Sequence, residues 1–525
     1  MRILVTDSIE QHCVDILKGE GFLVDIQPTC SPEKLRGLIQ SYEALVVRSA
    51  TNVTADVINE SRQLRVIGRA GAGVDNIDVD AATRKGIVVM NTPGGNTIST
   101  AEHTMAMLLA LSRNIPQANA SLRLGEWNRK GHVGTELFGK VIGIVGLGKI
   151  GREVAVRCQA FGMTTIGFDP ILASDVAAKM KIELVALEEL YSRSDFITVH
   201  TPLNDETRSL ISDKELLICK QGVRLLNCAR GGIIDEKALL SALESGHVAG
   251  AALDVFETEP PGDDPLLKHP RVIATPHLGA STEEAQEKVA IQIAQQIADF
   301  LKDRGIAGAV NAEVIQMAMK KDLKPYVRLA ERLGNLSAQM ISGKLKKLSV
   351  ICSGDLLTTS SELISSAVLK GVLSHLMSEP VNLINAPVLA RELGIALVEE
   401  KESEHEAYTN LVTVGFETEK ESKRFSGTVF GHKTLRLVRI DDYHFEINPE
   451  GYLLFYKNID RPGMLASVVS VLSKEGINIA GLALGRDKPG QRALTIINAD
   501  SQLSPSLVKK VEATDGVFDV RAVRL

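Results

Sequence analysis

The chain has 525 residues and a net charge of −6, and 44% of its residues are hydrophobic. A chain of this length exceeds one ordinary hydrophobic core, so we expect three or four domains. The mildly acidic balance, without a basic block, gives no reason to expect nucleic acid or an anionic membrane as a partner.

The six cysteines are scattered along the chain and form no Cys-x-x-Cys pair. This spacing predicts neither a disulfide framework nor a metal site, and it fits a reducing compartment. Residues 1–7 are a short apolar run ending in an acid, without the basic start and long apolar core of a signal peptide. No apolar run is long enough to span a bilayer. We therefore expect a cytoplasmic protein, with an organelle as the alternative for a processed chain.

The N-terminal part of the chain alternates short apolar runs with helical stretches. Strands are predicted at residues 2–6, 45–48, 66–69 and 88–90, and a helix at residues 13–18. Such alternation is typical of βαβ units, whose parallel strands are buried on both faces.

A second block of alternating strands and helices follows a long apolar helix predicted at residues 100–111. Its strands are predicted at residues 141–145, 164–168, 196–199, 223–227, 249–252 and 272–274. Six strands in one block indicate a complete doubly wound nucleotide-binding fold.

A glycine-rich turn joins the first strand of this block to a helix. Gly146 permits the tight turn, Gly148 allows the backbone to approach a pyrophosphate, and Gly151 lets the helix pack closely on the strand. The anion would lie on the helix N-terminus. Asp169 ends the next strand and can bind both ribose hydroxyls, which favours NAD over NADP. The alternative is a glycine-rich turn without a ligand, but the strand, helix and acid all agree with the cofactor site.

Three later loops carry residues suited to hydride transfer from a hydroxy acid. Arg230 can hold a carboxylate bidentately. His277 is the natural base for the hydroxyl proton. Glu259, if hydrogen-bonded to His277, would stabilise the imidazolium. Each alone has a structural alternative: a turn cap, a solvated acid or a buried histidine. All three follow strands, where open α/β sheets bind ligands, and together they favour catalysis.

A second anion site is indicated near the N-terminal strands. Residues 69–76 form a glycine loop, including Gly71, whose backbone N–H groups can cradle a carboxylate. Arg48 and Arg69 end strands that should face the same cleft. Two extra arginines suggest a phosphate on the substrate, and ordinary surface ion pairs are the alternative.

The C-terminal part of the chain changes character after residue 311. Residues 317–342 are predicted to be helical, and residues 346–450 mix strands and helices. The last segment reads as strand, helix, two strands, helix and strand between residues 451 and 524. This βαββαβ order is the ferredoxin-like pattern.

The quoted loops carry a resemblance to a known family. Residues 145–151 (Val-Gly-Leu-Gly-Lys-Ile-Gly), 227–235 (Asn-Cys-Ala-Arg-Gly-Gly-Ile-Ile-Asp), 254–260 (Asp-Val-Phe-Glu-Thr-Glu-Pro) and 275–282 (Thr-Pro-His-Leu-Gly-Ala-Ser-Thr) resemble signatures of the D-2-hydroxyacid dehydrogenases. The resemblance covers residues 1–315 and implies that Arg230, Glu259 and His277 are catalytic. It also implies NAD contacts at Lys149, Ile150, Asp169, Thr201, Cys228, Ala229, Arg230, Asp254, His277, Leu278, Gly279 and Ala280.

The whole chain is similar to the long members of this family, which carry a C-terminal ACT domain and oxidise 3-phospho-D-glycerate to 3-phosphooxypyruvate in L-serine synthesis. The resemblance implies a phosphate site at Arg48, Ser49, Arg69 and Asn96. It also implies a Rossmann-like domain (99–286) inserted in a discontinuous flavodoxin-like substrate domain (1–98 and 287–312). An intervening α/β regulatory domain (317–451) and the ACT domain (452–525) would follow, in a homotetramer.

The ACT-like segment implies a small-molecule effector. The resemblance places L-serine at Asn458, Asp460 and Asn478, and a module used only for oligomerisation is the alternative. Two alternatives to oxidation of 3-phosphoglycerate also stand: a dehydrogenase for an unphosphorylated acid such as glycerate, and a non-catalytic NAD-sensing protein.

Overall fold

The computed structural model describes residues 1–431, 433–486, 488 and 490–525. The strands in this part of the chain are β1 (Arg2–Val5), β2 (Leu23–Ile26), β3 (Ala44–Val47), β4 (Val66–Arg69), β5 (Val88–Met90), β6 (Val141–Val145), β7 (Thr164–Phe168), β8 (Glu183–Leu184), β9 (Phe196–Val199), β10 (Val223–Asn227), β11 (Val248–Leu253), β12 (Val272–Ala274), β13 (Leu345–Ser353), β14 (Ala396–Glu402), β15 (Leu411–Thr418), β16 (Ser422–Phe430), β17 (Thr434–Ile440), β18 (Tyr443–Ile447), β19 (Tyr452–Ile459), β20 (Ile479–Arg486), β21 (Arg492–Ala499) and β22 (Val517–Arg524).

The helices pack around these strands. They are α1 (Gln11–Gly19), α2 (Pro32–Leu38), α3 (Ala55–Glu60), α4 (Val79–Arg84), α5 (Thr97–Arg113), α6 (Ile115–Arg123), α7 (Lys149–Ala160), α8 (Ser174–Lys179), α9 (Leu187–Arg193), α10 (Asp213–Ile218), α11 (Glu236–Glu244), α12 (Pro265–Lys268), α13 (Glu283–Leu301), α14 (Glu313–Ala318), α15 (Lys324–Met340), α16 (Asp355–Thr358), α17 (Ser361–Leu376), α18 (Ala386–Glu392), α19 (Met464–Lys474) and α20 (Pro505–Glu512). Every helix in the described residues is too short or too polar to cross a membrane.

The first lobe is a parallel five-stranded sheet in the order β2-β1-β3-β4-β5, which confirms the flavodoxin-like expectation. Helix α13 returns to this lobe after the second one has been completed, and its Ile293 and Ile297 belong to the same buried cluster as Ile3 and Val66. A side chain at Gly68 would bring Cβ within 2.5 Å of Ile297. The glycine therefore lets α13 pack directly on β4. The domain boundaries themselves remain predictions.

The second lobe is a parallel seven-stranded sheet in the order β12-β11-β10-β9-β6-β7-β8. The strand order reverses beside β6, as in a Rossmann fold, so a crevice opens at the carboxyl ends of β6 and β9. The sequence predicts six of these strands. The additional edge strand β8 is only two residues long, too short for a recognisable pattern.

A six-stranded mixed sheet and a four-stranded antiparallel sheet complete the chain. The latter has the predicted βαββαβ order of an ACT domain. The two sheets share one buried cluster, in which Leu333 and Val368 lie with Phe455 and Ile496. The expected single helical stretch at residues 317–342 is instead two helices, α14 and α15. Pro325 in the first turn of α15 explains the break, because proline fits a helix start but not its interior.

The mixed sheet's helical layer also contacts the first lobe. Asn382 donates from Nδ2 to the carbonyl of Gly86 at 2.8 Å, and Arg84 lies 3.1 Å from Glu392. Ile384, 6% exposed, joins the buried cluster of the first lobe. The C-terminal half is therefore docked on the lobe that carries β5.

Candidate active site

The glycine-rich turn between β6 and α7 has the geometry of a dinucleotide loop. Gly146 has a φ of +92°, and a Cβ at Gly151 would lie 2.0 Å from the Gly146 carbonyl oxygen. A Cβ at Gly148 would meet no protein atom within 4 Å. The space above the first turn of α7 is thus empty of protein and is bordered by free backbone N–H groups. This arrangement fits the pyrophosphate of NAD.

Asp169 lies beside this turn, at the end of β7. Its Oδ2 accepts a hydrogen bond from the Leu147 amide at 2.8 Å, and its Oδ1 accepts from the Ile171 and Leu172 amides. Burial opposes ionisation of this carboxyl, but the amide donors outweigh it and lower the pKa of Asp169 below its ordinary value. The residue is therefore an anchored carboxylate, as ribose binding requires.

A cavity of about 830 Å³ lies between the two lobes. The predicted residues that line it are Arg48, Ser49, Arg69, Gly71, Asn96, Ile150, Thr201, Cys228, Ala229, Arg230, Asp254, Glu259, His277, Gly279 and Ala280. Six other predicted cofactor residues do not line it: Gly146, Gly148, Lys149, Gly151, Asp169 and Leu278. The first group thus lines one cavity, and the glycine turn and Asp169 lie outside it.

His277 and Glu259 form a close pair in this cavity. Nδ1 of His277 lies 2.7 Å from Oε2 of Glu259, while Oε1 of Glu259 accepts from the Phe256 amide at 3.1 Å. Burial opposes ionisation of Glu259, but the hydrogen bond and charge of His277 outweigh it, so the pKa of this carboxyl is below its ordinary value. Because Nδ1 is occupied, Nε2 is the nitrogen that can exchange a proton with a substrate.

The backbone around His277 is held by Asp254. His277 has a φ of +54°, in the left-handed region that costs energy for a non-glycine residue. Its amide donates to the Asp254 carbonyl at 2.9 Å. The buried Asp254 carboxylate accepts from the amides of Leu278 at 2.7 Å and Gly279 at 2.8 Å. These bonds fix a strained loop in one conformation.

Arg230 reaches across the cleft to the first lobe. Its Nε lies 3.0 Å from Oδ2 of Asp75, and its Nη1 donates to the Ala229 carbonyl at 2.6 Å. A Cβ at Gly73 would come within 2.0 Å of Nη2, so only glycine permits this approach. Sequence reasoning assigned no role to Asp75 or Gly73, although both lie in the glycine loop of residues 69–76.

The two strand-end arginines also face the cavity. Arg69 donates from Nε to Asn76 at 2.7 Å and from Nη1 to the Gly73 carbonyl at 2.6 Å. Burial and the nearby Arg230 lower the pKa of Arg69 to about 10, so it stays a cation at neutral pH. Arg48 donates from Nη1 to the Ser8 carbonyl at 2.9 Å. Three guanidinium groups, opposed by Asp75, thus surround one cavity.

Asp7 and Asn76 support these arginines and were missed from the sequence. The Asp7 carboxylate accepts from the Arg48 and Thr51 amides at 2.8 and 3.2 Å. The Asn76 side chain donates to the carbonyls of Arg48 and Thr51. The available signal was position, because Asp7 follows β1 as Arg48 follows β3, at the same edge of the parallel sheet.

The three predicted effector residues lie at the ACT sheet with partners of their own. Asn458 is only 3% exposed, and its side chain contacts Thr495 and the Ile459 carbonyl. Asp460 accepts from the Gly490 amide at 3.1 Å. Asn478 donates to Asp500 at 2.5 Å. An effector would have to replace some of these contacts.

Three family models match the chain in succession. The D-isomer specific 2-hydroxyacid dehydrogenase NAD-binding domain matches residues 105–279, the D-3-phosphoglycerate dehydrogenase intervening domain residues 322–441, and the ACT domain residues 452–516. A D-3-phosphoglycerate dehydrogenase of Methanocaldococcus jannaschii is 44% identical over 100% of both chains. The chain belongs to the D-3-phosphoglycerate dehydrogenase family. The Bacillus subtilis D-3-phosphoglycerate dehydrogenase is 41% identical over 100% of this chain and 99% of its own.

Solved structures resemble the first two lobes of this family member. A glyoxylate reductase from Paecilomyes thermophila is 32% identical, with a TM-score of 0.55 over 59% of this chain and 98% of its own. A D-lactate dehydrogenase from Aquifex aeolicus, solved with NAD and lactic acid, is 27% identical, with a TM-score of 0.52 over 57% of this chain and 96% of its own. The chain is thus an NAD-dependent 2-hydroxyacid dehydrogenase with an ACT domain.

Proposed function

We propose that this protein oxidises 3-phospho-D-glycerate to 3-phosphooxypyruvate with NAD, the first step of L-serine synthesis. The observation that carries the proposal is the cavity between the first two lobes. It contains Arg230 and the His277–Glu259 pair together with two further arginines, Arg48 and Arg69. A substrate with a carboxylate, a neighbouring hydroxyl and a distant phosphate fits this distribution of charge.

NAD, when bound, supplies the acceptor for the substrate hydride. Its pyrophosphate would be held by the turn from Gly146 to Gly151 and its ribose by Asp169. The nicotinamide side would contact the residues of the cavity wall that belong to the second lobe. These are Ile150, Thr201, Cys228, Ala229, Asp254, Gly279 and Ala280, with Lys149 and Leu278 beside them.

Arg230 would hold the substrate carboxylate, placing the hydroxyl beside His277. Gly71 lines the same cavity, but its amide donates to the Arg69 carbonyl at 2.9 Å and would have to leave it to bind the carboxylate. Nε2 of His277 would take the hydroxyl proton as the hydride leaves the carbon that bears this hydroxyl. The carboxylate of Glu259 would stabilise the imidazolium that results. In the reverse direction the same imidazolium would return the proton to the substrate oxygen.

Arg48, Ser49, Arg69 and Asn96 would read the phosphate. The test is NADH formation from 3-phosphoglycerate and from glycerate by the unaltered chain and by Arg48→Ala. We expect the unaltered chain to prefer the phosphorylated acid and Arg48→Ala to lose at least about tenfold of that preference, the value of one charge-assisted hydrogen bond. Arg36→Ala, which removes an exposed arginine on α2, is the control and should change neither rate.

The outcomes separate the candidate substrates. Equal rates with both acids would make the protein a dehydrogenase of unphosphorylated acids. Tight NADH binding without oxidation of either acid would make it an NAD sensor. Either result contradicts the proposal.

We infer that L-serine inhibits this reaction through Asn458, Asp460 and Asn478, and that the protein is a cytoplasmic homotetramer. Exposed apolar side chains around α6 support self-association: Leu124, Trp127, Val133 and Phe138 are each 77 to 80% exposed. NADH formation with and without serine, and the mass in solution by light scattering, test these two points. A monomer or an absence of inhibition would contradict them.

A further inference from the structure

A second histidine lies behind the loop that carries His277. His103 is on the second turn of α5, and its side chain is 18% exposed. Its Nε2 lies 3.1 Å from Oγ1 of Thr275 and 3.2 Å from Oδ1 of Asp254. Thr275 in turn donates from Oγ1 to Oδ1 of Asp254 at 2.6 Å. The proposed reaction leaves this histidine without a role.

The bond directions follow from the chemistry of the three groups. The Thr275 hydroxyl has one proton, which it gives to the Asp254 carboxylate at 2.6 Å, so it can only accept from His103. Nε2 of His103 must therefore carry a proton. The chain of donors runs from the imidazole to the hydroxyl to the carboxylate, and it fixes the direction of the threonine hydroxyl.

Asp254 connects His103 and Thr275 to the loop that carries His277. The same Oδ1 that receives the threonine proton also accepts from the Leu278 amide, and Oδ2 accepts from the Gly279 amide. Asp254 is 0% exposed, and these protein donors orient its carboxylate. Burial opposes its ionisation, but His103, Thr275 and the Leu278 amide outweigh burial and lower the pKa of Asp254.

The first turns of α5 contact the loop at two more places. Thr100 donates to the Gly279 carbonyl at 3.1 Å, and Ser99 and Thr282 share a hydrogen bond of 2.7 Å. A Cβ at Gly279 would lie 3.2 Å from Asp254. The absence of a side chain at this position therefore lets the loop lie close to the carboxylate. Residues 275–282 are thus held against helix α5 by hydrogen bonds.

We propose that His103 is a positioning residue for the catalytic base: through Thr275 and Asp254 it holds the strained loop that aims His277 into the cavity. The proposal rests on the proposed function, because it takes His277 as the base. Because His277 has a φ of +54°, its loop should relax when these hydrogen bonds are weakened. A misplaced base slows the chemical step more than it weakens substrate binding.

The test compares variants that remove or keep the donor. His103→Leu removes it, His103→Gln keeps an N–H donor, and Glu102→Gln changes an exposed neighbour on the same helix as the control. With 3-phosphoglycerate and NAD, we expect kcat to fall about tenfold in His103→Leu while KM stays within about twofold. His103→Gln should recover most of kcat, and Glu102→Gln should match the unaltered chain.

Two further measurements separate positioning from general stability. Thr275→Val should reduce kcat as His103→Leu does, and the double variant should lose less than the product of the two single effects, because both residues act on the same Asp254 carboxylate. Hydrogen exchange should become faster at the Leu278 and Gly279 amides in His103→Leu and return toward the original rate in His103→Gln.

The proposal is overturned if His103→Leu keeps its kcat, if its effect multiplies with that of Thr275→Val, or if the glutamine variant recovers neither rate nor exchange protection. Should the unaltered chain fail to oxidise 3-phosphoglycerate, the proposed function fails. The exchange measurement would then decide alone whether His103 orders the loop.

Discussion

Replacing Glu259 by glutamine tests the centre of the proposed chemistry. The amide oxygen of glutamine can still accept from Nδ1 of His277, but its NH2 group then faces the Phe256 amide, so the change removes the charge and one backbone hydrogen bond. The contact of 2.7 Å is charge-assisted once the imidazole holds a proton, and such a bond contributes about 1.5–3 kcal/mol. The side chains are 44% and 37% exposed, so water screens the pair, and we expect it to contribute about 1.5–2 kcal/mol.

At about 1.4 kcal/mol for each factor of ten, kcat/KM for 3-phosphoglycerate should fall about 10- to 30-fold in Glu259→Gln. Initial rates of NADH formation at saturating NAD measure this. Glu257→Gln is the matched control, since Glu257 lies in the same loop and is exposed. A full rate in Glu259→Gln, or an equal loss in Glu257→Gln, would refute the assignment of Glu259 as the partner of the base.

Two other predictions concern acid stability and the cofactor groove. Because the pKa of Glu259 in the folded chain is below its ordinary value of 4.5, its ionised form stabilises the fold above that pH, and this contribution is lost as the pH falls through the folded pKa. Thermal melts should therefore show a difference in melting temperature between the unaltered chain and Glu259→Gln at pH 7 that narrows as the pH falls below 4.5. A difference independent of pH would contradict this. Gly148→Val should fill the space above α7 and weaken NADH binding at least about tenfold by calorimetry with an unchanged melting temperature, whereas full NADH affinity would mean that the pyrophosphate lies elsewhere.

The strands that sequence reasoning found include two whose residues are buried throughout. β3 and β9 are buried at every position, so their composition alone indicates strands packed on both faces. β2 was missed because it is an edge strand whose Leu23 and Ile26 are 66% and 52% exposed. None of its four residues is fully buried, so the local pattern of a buried strand is absent.

That Arg230, Glu259 and His277 lie at one cavity could be predicted because they follow strands of one parallel sheet, and topology brings such positions to one edge. Asp75 was not, because its contact with Arg230 joins residues 155 positions apart in different lobes. Nothing in the local pattern around Asp75 distinguishes an ion pair across a cleft from a solvated acid in a loop. The same holds for His103, whose partners Thr275 and Asp254 lie more than 150 positions away and are reached only through packing.

Helix α5 links the cavity wall to the loop that carries His277. Asn96, on the cavity wall, immediately precedes its first residue, and Ser99, Thr100 and His103 follow within two turns and contact residues 275–282. A helix of 17 residues transmits a displacement at one end with little bending. Any shift of the first lobe that moves Asn96 therefore also moves the residues against which the His277 loop is ordered. Because Arg230 contacts Asp75 across the same cleft, the proposed carboxylate site is also built from both lobes.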